Sequence, residues 1–285
     1  MIIINEMSTL SKDKLKQFYL ECQKDKLLGI DTEFYRVNSY RPELCLIQLS
    51  NLSNSIILDP IESNLDENFL KDLLFNDKII KVFFAASQDV EVLFNIFKKV
   101  PFPLIDLQIC ISLIMKNYSL SYSAACKFFL AININKNNQF IDWRKRPLKK
   151  DKILYAINDV KYLLPLYEKL NRELKRLKRN DKVNQLHKKI LDPKTYTEKP
   201  KYAWRKLKFF PKNGEELEIL KEICELREKV AIKKNLPIRW VIKNHEIKLL
   251  LMKKSSDKLK EKIIKKIKDK KLREKLSELI GISIQ

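Results

Sequence analysis

Apolar and polar positions change their period several times along the first half of the chain, and each change marks an element. Over 10–24 apolar residues recur at helical spacing, with Leu15, Phe18 and Tyr19 on one face and Ser11 placed to cap the start. The run 27–34 is short and apolar and ends in charge, which reads as a strand. Residues 44–49 and 56–58 predict two more strands, joined by the polar turn 51–55. A helix is expected over 66–75, a buried strand over 79–85 and another helix over 88–98. Strands interleaved with helices predict an α/β fold, a mixed sheet covered by helices.

From Leu104 onward the pattern is almost entirely helical, including 121–130 and 148–178. Pro165 either kinks the second of these or begins a new helix, because proline has no N–H to give to the turn before it. Asp192-Pro193 through Lys199-Pro200-Lys201 is polar and proline-bearing and reads as a linker. After Asn213-Gly214, helices are expected over 215–233, 245–253, 258–268 and 271–280. Leu217, Leu220, Cys224 and the pair Leu226/Val230 form the buried stripe of the first. The division expected is a first domain over 1–170, a connecting helix and linker over 171–205, and a small all-α domain over 206–285.

Composition narrows the function classes. At 285 residues and 45% hydrophobic, the chain has the size and apolar content for one sizeable core and one small one. No run of about 18 apolar residues occurs, so no membrane-spanning helix is expected. Met1-Ile2-Ile3-Ile4-Asn5 lacks the basic start and long apolar stretch of a signal peptide, which points to the cytoplasm. Five scattered cysteines, with no metal or redox spacing, fit reduced core thiols in that compartment. His187 and His245 are the only histidines, too few for a histidine-based zinc site or triad. The formal charge of +22 draws polyanions. Lysine far outnumbers arginine, however, and an AT-rich genome produces the same excess. Charge alone leaves nucleic acid and codon bias both open.

Acidic residues at the ends of apolar segments carry the chemistry. Leu27-Leu28-Gly29-Ile30 runs into Asp31-Thr32-Glu33-Phe34. Residues two apart share a strand face, so Asp31 and Glu33 project together, either as a polar strand end or as a pair that needs a cation. Asp89 follows the strand-like Lys81-Val82-Phe83-Phe84-Ala85-Ala86, where an acid also serves a helix's first turn. Tyr155 and Asp159 lie four apart on one helix face. Each is ambiguous alone.

Taken in order, these residues resemble the DEDD exonucleases of the tyrosine-containing subclass, and within them the ribonuclease D family. Gly29-Ile30-Asp31-Thr32-Glu33-Phe34 with Leu46-Ile47-Gln48-Leu49 is similar to that family's first segment. Ala85-Ala86-Ser87-Gln88-Asp89-Val90-Glu91-Val92 is similar to its second. Asp142-Trp143-x-x-Arg146-Pro147-Leu148 and Tyr155-Ala156-x-x-Asp159-Val160-x-Tyr162-Leu163-Leu164 are similar to its third. Asp106 also recurs in the family and reads as a helix cap or local anchor. Phe84 stands where the family often has histidine, which bears on strand packing. Ala203-Trp204 and Leu226-Arg227-x-x-x-Ala231 resemble an HRDC domain, present once here where some relatives carry two.

The resemblance implies a ribonuclease H-like mixed sheet flanked by helices, followed by an HRDC-like domain. It implies a 3′-to-5′ exoribonuclease that releases nucleoside 5′-monophosphates, with two divalent metal ions, Mg²⁺ or Mn²⁺, held by Asp31, Glu33, Asp89 and Asp159. In that scheme Asp31 bridges both ions, Glu33 and Asp159 hold the one that activates water, Asp89 serves the second, and Tyr155 orients the water. Thr32 and Phe34 are candidates for contacting the terminal nucleotide, Phe34 equally for core packing. The implied partner is RNA with a free 3′ end, tRNA precursors and other structured RNA included, met by a monomer. Basic runs such as Lys265-Lys266 and 268–271 either grip RNA or form a solvated face. A DNA 3′-exonuclease of the same superfamily and an inactive nucleic-acid-binding module are the alternatives.

Overall fold

The computed structural model describes residues 11–64, 66–134, 142–209, 211, 213–252 and 254–283. The opening Met1-Ile2-Ile3-Ile4-Asn5, the first residue of the expected 10–24 helix, and Lys253 lie outside them. The chain forms two compact units, one of residues 1–35 and 43–196, the other of 36–42 and 197–285.

The first unit is built on five strands: β1 (Leu27–Tyr35), β2 (Glu43–Ser50), β3 (Ser55–Leu58), β4 (Ile80–Phe83) and β5 (Leu104–Asp106). Their order in the sheet is β3-β2-β1-β4-β5, antiparallel across β1–β2 and β2–β3, parallel across β1–β4 and β4–β5. The expected α/β fold with a mixed sheet is thus the one observed. β1 is central, and Leu28, Gly29 and Ile30 are buried in succession, as a strand covered on both faces requires. The glycine there has a specific cause. A Cβ at Gly29 would stand 2.3 Å from Ser50 Oγ and 3.4 Å from Leu163 Cβ. β1 pairs with β4 only over Leu27 to Gly29, so Asp31 and Glu33 emerge beyond the carboxyl end of their parallel neighbour. Chains leave the sheet there, and such a place opens a crevice.

Helices α1 (Lys12–Asp25), α2 (Glu67–Leu74), α3 (Ser87–Phe97), α4 (Leu107–Ile114), α5 (Tyr122–Leu130), α6 (Lys150–Lys161), α7 (Leu163–Arg176) and α8 (Asn180–Leu191) complete the unit. Their starts follow local chemistry: Ser11, Asp66, Asp106 and Ser121 each accept a backbone N–H from the first turn of the helix they precede. The stretch 148–178, where Pro165 is expected to kink the helix or begin a new one, is two helices parted at Tyr162, and Pro165 sits in the first turn of the second, where a missing N–H costs nothing. α6 lies on β1, β2 and β3, and α7 on β1 and β4.

After Leu104 the described chain is almost entirely helical as expected, with one edge strand at 104–106 that the pattern did not show. That strand is only three residues long, too short to show a period. Two expectations about the domain division need correction as well. The first unit does not stop at 170, which falls inside α7; it runs to Tyr196, because α8 packs on α4 and β5 and contributes Val183, His187 and Ile190 to the interior. The segment 36–42 belongs to the second unit, not the first.

That second unit is the expected all-α module: α9 (Gly214–Lys234), the short α10 (Ile238–Val241), α11 (Asn244–Leu251), α12 (Asp257–Lys265) and α13 (Lys270–Ile280). Leu220, Ile223, Cys224, Ile247, Leu272 and Leu276 form its core. Buried Glu228 accepts from Tyr40 Oη at 2.7 Å and Lys206 Nζ at 3.1 Å, and Asn235 Oδ1 accepts from the Arg41 N–H at 3.0 Å. All five cysteines are buried free thiols. No helix among the described residues is long and apolar enough to cross a membrane.

Candidate metal centre and active site

Alternation along β1 puts Asp31 and Glu33 on one face, with buried Thr32 on the other. α6 crosses the Asp31 face and brings Asp159 down onto it. One oxygen each from Asp31, Glu33 and Asp159 lie within 4.8 Å of one another. Tyr155, one turn earlier on α6, hydrogen-bonds the Asp159 carboxylate. Asp89, in the first turn of α3, is buried, and its Oδ1 accepts from the Thr32 N–H at 3.0 Å and from Thr32 Oγ1 at 2.6 Å. Four acids and a tyrosine from β1, α3 and α6 therefore share one region. Asp89 stands outside the tight trio yet close enough for its charge to act on Asp31.

So much negative charge in one sheltered place shifts every member. Burial, then the charges of Asp89, Asp159 and Glu33, push the Asp31 carboxyl well above the usual range. Burial, then Asp159 and Asp89, push Glu33 up to about 9. Burial raises Asp159 to about 7 against the hydrogen bond from Tyr155, and Asp89 to about 7 against those from Thr32. Tyr155 is pushed further above its ordinary value by burial and then by Asp159, Glu33 and Asp31. A cation among these oxygens would reverse the logic of all four carboxyls. Hard carboxylate oxygens without sulfur or imidazole suit Mg²⁺- or Mn²⁺-type ions.

The surroundings hold these groups from several sides. Asp106 ends β5 and caps α4, accepting from the N–H groups of Gln108 at 2.8 Å, Ala85 at 3.0 Å and Ala86 at 3.0 Å. Ala85 has φ +59°, a conformation unfavourable for a residue with a Cβ, so the carboxylate secures the turn that launches α3 and Asp89. The Asp106 N–H in turn donates to His187 Nε2 at 2.7 Å. On the other side, the buried ring of Trp143 packs on Tyr155 with centroids 6.0 Å apart. Arg146 fixes that loop, donating to both Asp59 oxygens at 2.7 Å and to the Trp143 carbonyl at 2.6 Å. Phe84 packs edge-on against Tyr122, whose hydroxyl donates to the Asn158 carbonyl at 3.0 Å.

Among the expected substrate contacts, both Thr32 donors are directed at Asp89 in this structure. Phe34 is half-buried and takes no part in the hydrophobic clusters of the described core. The sequence reading assigned no role to Trp143 or Arg146, although both stand in the motif quoted for the third segment. It gave no role either to Gln48, which stands in the first segment quoted and is fully buried with neither amide atom hydrogen-bonded.

A sheet that gathers carboxylates at the open end of its central strand defines a candidate oxygen-ligand metal centre in an α/β fold. The chain belongs to the 3′-5′ exonuclease family, whose model matches residues 8–175. It is 36% identical to ribonuclease D of Sphingobium indicum over 245 residues, 86% of this chain and 63% of that protein. The chain spans between 53% and 63% of the length of the two ribonuclease D proteins from Sphingobium indicum and Bartonella henselae. Among solved structures, Escherichia coli RNase D superposes with TM-score 0.82 at 24% identity, over 98% of this chain and 75% of that one. Brucella melitensis NrnC bound to pGG superposes with TM-score 0.56 at 26% identity, over 68% of this chain and 94% of that one.

Proposed function

We propose that this protein is a divalent-metal-dependent 3′-to-5′ exoribonuclease that releases nucleoside 5′-monophosphates. The convergence of Asp31, Glu33 and Asp159 within 4.8 Å, from elements more than a hundred residues apart in sequence, carries the reading. Its family membership and its likeness to ribonuclease D proteins support it. The neighbour bound to pGG supports a nucleotide chain end as the occupant.

In this reading Asp31, Glu33, Asp89 and Asp159 would hold two divalent ions, Mg²⁺ or Mn²⁺. When bound, such ions would acidify a water and offset charge on the phosphoryl oxygens. Tyr155 would orient the attacking water. Its phenol stays protonated at neutral pH, because burial and the neighbouring carboxylates push its ionisation up, so it positions rather than deprotonates. Thr32 holds the Asp89 carboxylate, and the half-buried Phe34 ring would stack on the terminal base. The RNA body would lie on basic surface of a chain carrying +22. The all-α module is read as HRDC-like, the substrates as tRNA precursors and other structured RNA, the working form as a cytoplasmic monomer.

The test is a 5′-labelled RNA oligonucleotide with Mg²⁺ or Mn²⁺, with and without EDTA, beside a DNA of the same sequence. A ladder shortening from the 3′ end, with mononucleotide product and no reaction in EDTA, is expected on RNA. Faster loss of the DNA would turn the reading to a DNA exonuclease. Binding without any nucleotide release would turn it to an inactive module.

A further inference from the structure

Gln48 lies in the middle of β2, fully buried, and neither its amide nitrogen nor its amide oxygen has a hydrogen-bond partner. An amide in that state bears the whole cost of leaving water with no return, and a leucine or methionine would fill the same volume without it. Its neighbours Leu46, Ile47 and Leu49 are apolar, so the strand has no general need for polarity here.

Its position indicates what the amide is for. The register sets Gln48 directly opposite Asp31 on β1 and beside Ile57 on β3. Paired residues of an antiparallel ladder project to the same face, with Cβ atoms roughly 5 Å apart. That is the face α6 covers. Leu46, two residues before, clusters with Ala156, and Ser50, two residues after, donates its hydroxyl to the Val160 carbonyl at 2.9 Å. Gln48 is thus enclosed between Asp31 and the helix that carries Asp159. An unpartnered buried amide and a sheltered carboxylate cluster stand side by side, each lacking what the other's environment would supply once a cation is seated.

We propose that Gln48 is a positioning residue of the metal centre, making its hydrogen bonds only in the metal-loaded form. There its amide N–H would steady the Asp31 carboxylate and its carbonyl would accept from water on the ion. This rests on the reading that Asp31, Glu33 and Asp159 take a divalent cation. It accounts for a glutamine whose polar atoms bond to nothing in the protein itself, and it makes the centre's supporting shell extend into β2.

The experiment compares wild type with Gln48→Leu and Gln48→Met, measuring urea unfolding in EDTA and Mn²⁺ binding by calorimetry. Both variants should be as stable as wild type in EDTA, or more so, because an unsatisfied amide has gone. Their Mn²⁺ affinity should fall by about 10–100-fold, the usual effect of losing a residue that orients a ligand. Wild-type Mn²⁺ affinity in the variants overturns the proposal and leaves the metal reading standing. Loss of stability in EDTA, or failure of both variants to fold, also overturns it, since Gln48 would then serve the metal-free fold. If wild type itself binds no Mn²⁺, the metal reading falls and this proposal with it.

Discussion

Replacing Asp159 with asparagine should make the metal-free protein more stable and the metal-loaded protein less so. The structure sets the size of the first effect. In the folded chain burial raises this carboxyl from the ordinary 3.8 to about 7. The folded state therefore holds a proton that the unfolded chain gives up, and the contribution of this one carboxyl to wild-type stability falls as pH rises from about 4 to about 7, then levels. A rise of that size corresponds to on the order of 4 kcal/mol above pH 7. Neighbouring carboxyls, held protonated in part by the Asp159 charge, give up protons once it is removed, so the relief from a single substitution is smaller, about 1–3 kcal/mol. Asparagine keeps an acceptor for the Tyr155 hydroxyl, so little else changes. The assay is urea unfolding in EDTA at pH 4.5 and pH 8. Asp159→Asn should exceed wild type at pH 8 by ~2 kcal/mol and approach it at pH 4.5. In Mn²⁺ at a hundred times its Kd, wild type gains about 2.7 kcal/mol and the variant almost none, so the order reverses. A variant no more stable than wild type in EDTA at pH 8, or one whose advantage is equal at both pH values, would refute the reasoning.

Other perturbations test the parts around the centre. Tyr155→Phe should lower kcat by about 10²-fold while Mn²⁺ affinity stays near wild type, because the phenol orients water and does not bind the ion; calorimetry beside a nucleotide-release assay separates the two. Gly29→Ala forces a Cβ to within 2.3 Å of Ser50 Oγ, and parting β1 from β2 there should cost ~2 kcal/mol or more in urea unfolding. Pairing it with Ser50→Ala should restore much of that loss. Arg146→Ala removes the guanidinium that meets the partly buried Asp59 carboxylate at 2.7 Å, and frees the Trp143 loop from Tyr155. A loss of ~1–2 kcal/mol is expected, since Asp59 keeps the N–H donors of Ile61 and Glu62, with weaker tryptophan–tyrosine packing visible in near-UV circular dichroism. Lys81→Met removes an ammonium that donates to the carbonyls of Asn76 and Ile79 at 2.7 Å and of Phe102. Losing these three bonds, with the Asn76 carbonyl keeping only the Ile79 N–H at 3.3 Å, should cost ~2 kcal/mol, read from the unfolding midpoint.

What the sequence disclosed and what it withheld divide along one physical line, the range of the interactions involved. Asp31 and Glu33 could be placed on a common face because a strand's period is two, and Tyr155 and Asp159 because a helix brings residues four apart together. That β1 and α6 bring Asp31, Glu33 and Asp159 to within 4.8 Å is a long-range fact, which only the resemblance to a known family made available in advance. Asp106 was expected as a cap and does cap α4, but its hold on Ala85 and Ala86, and so on Asp89, depends on β5 lying beside β4. The three residues of β5 are too few to announce a strand. The segment 36–42 carries no period at all, and its place in the helical unit is fixed by single contacts such as Tyr40 to Glu228. Gln48 is the sharpest case. In the sequence it is one polar letter in an apolar run, quoted with the first segment of the resemblance but given no role. Only the register against Asp31 and the enclosure beneath α6 show that it is buried without a partner, and so raise the question of what completes it. Local pattern thus supplies the candidates for a site, and the sheet's pairing decides which of them can act on one atom.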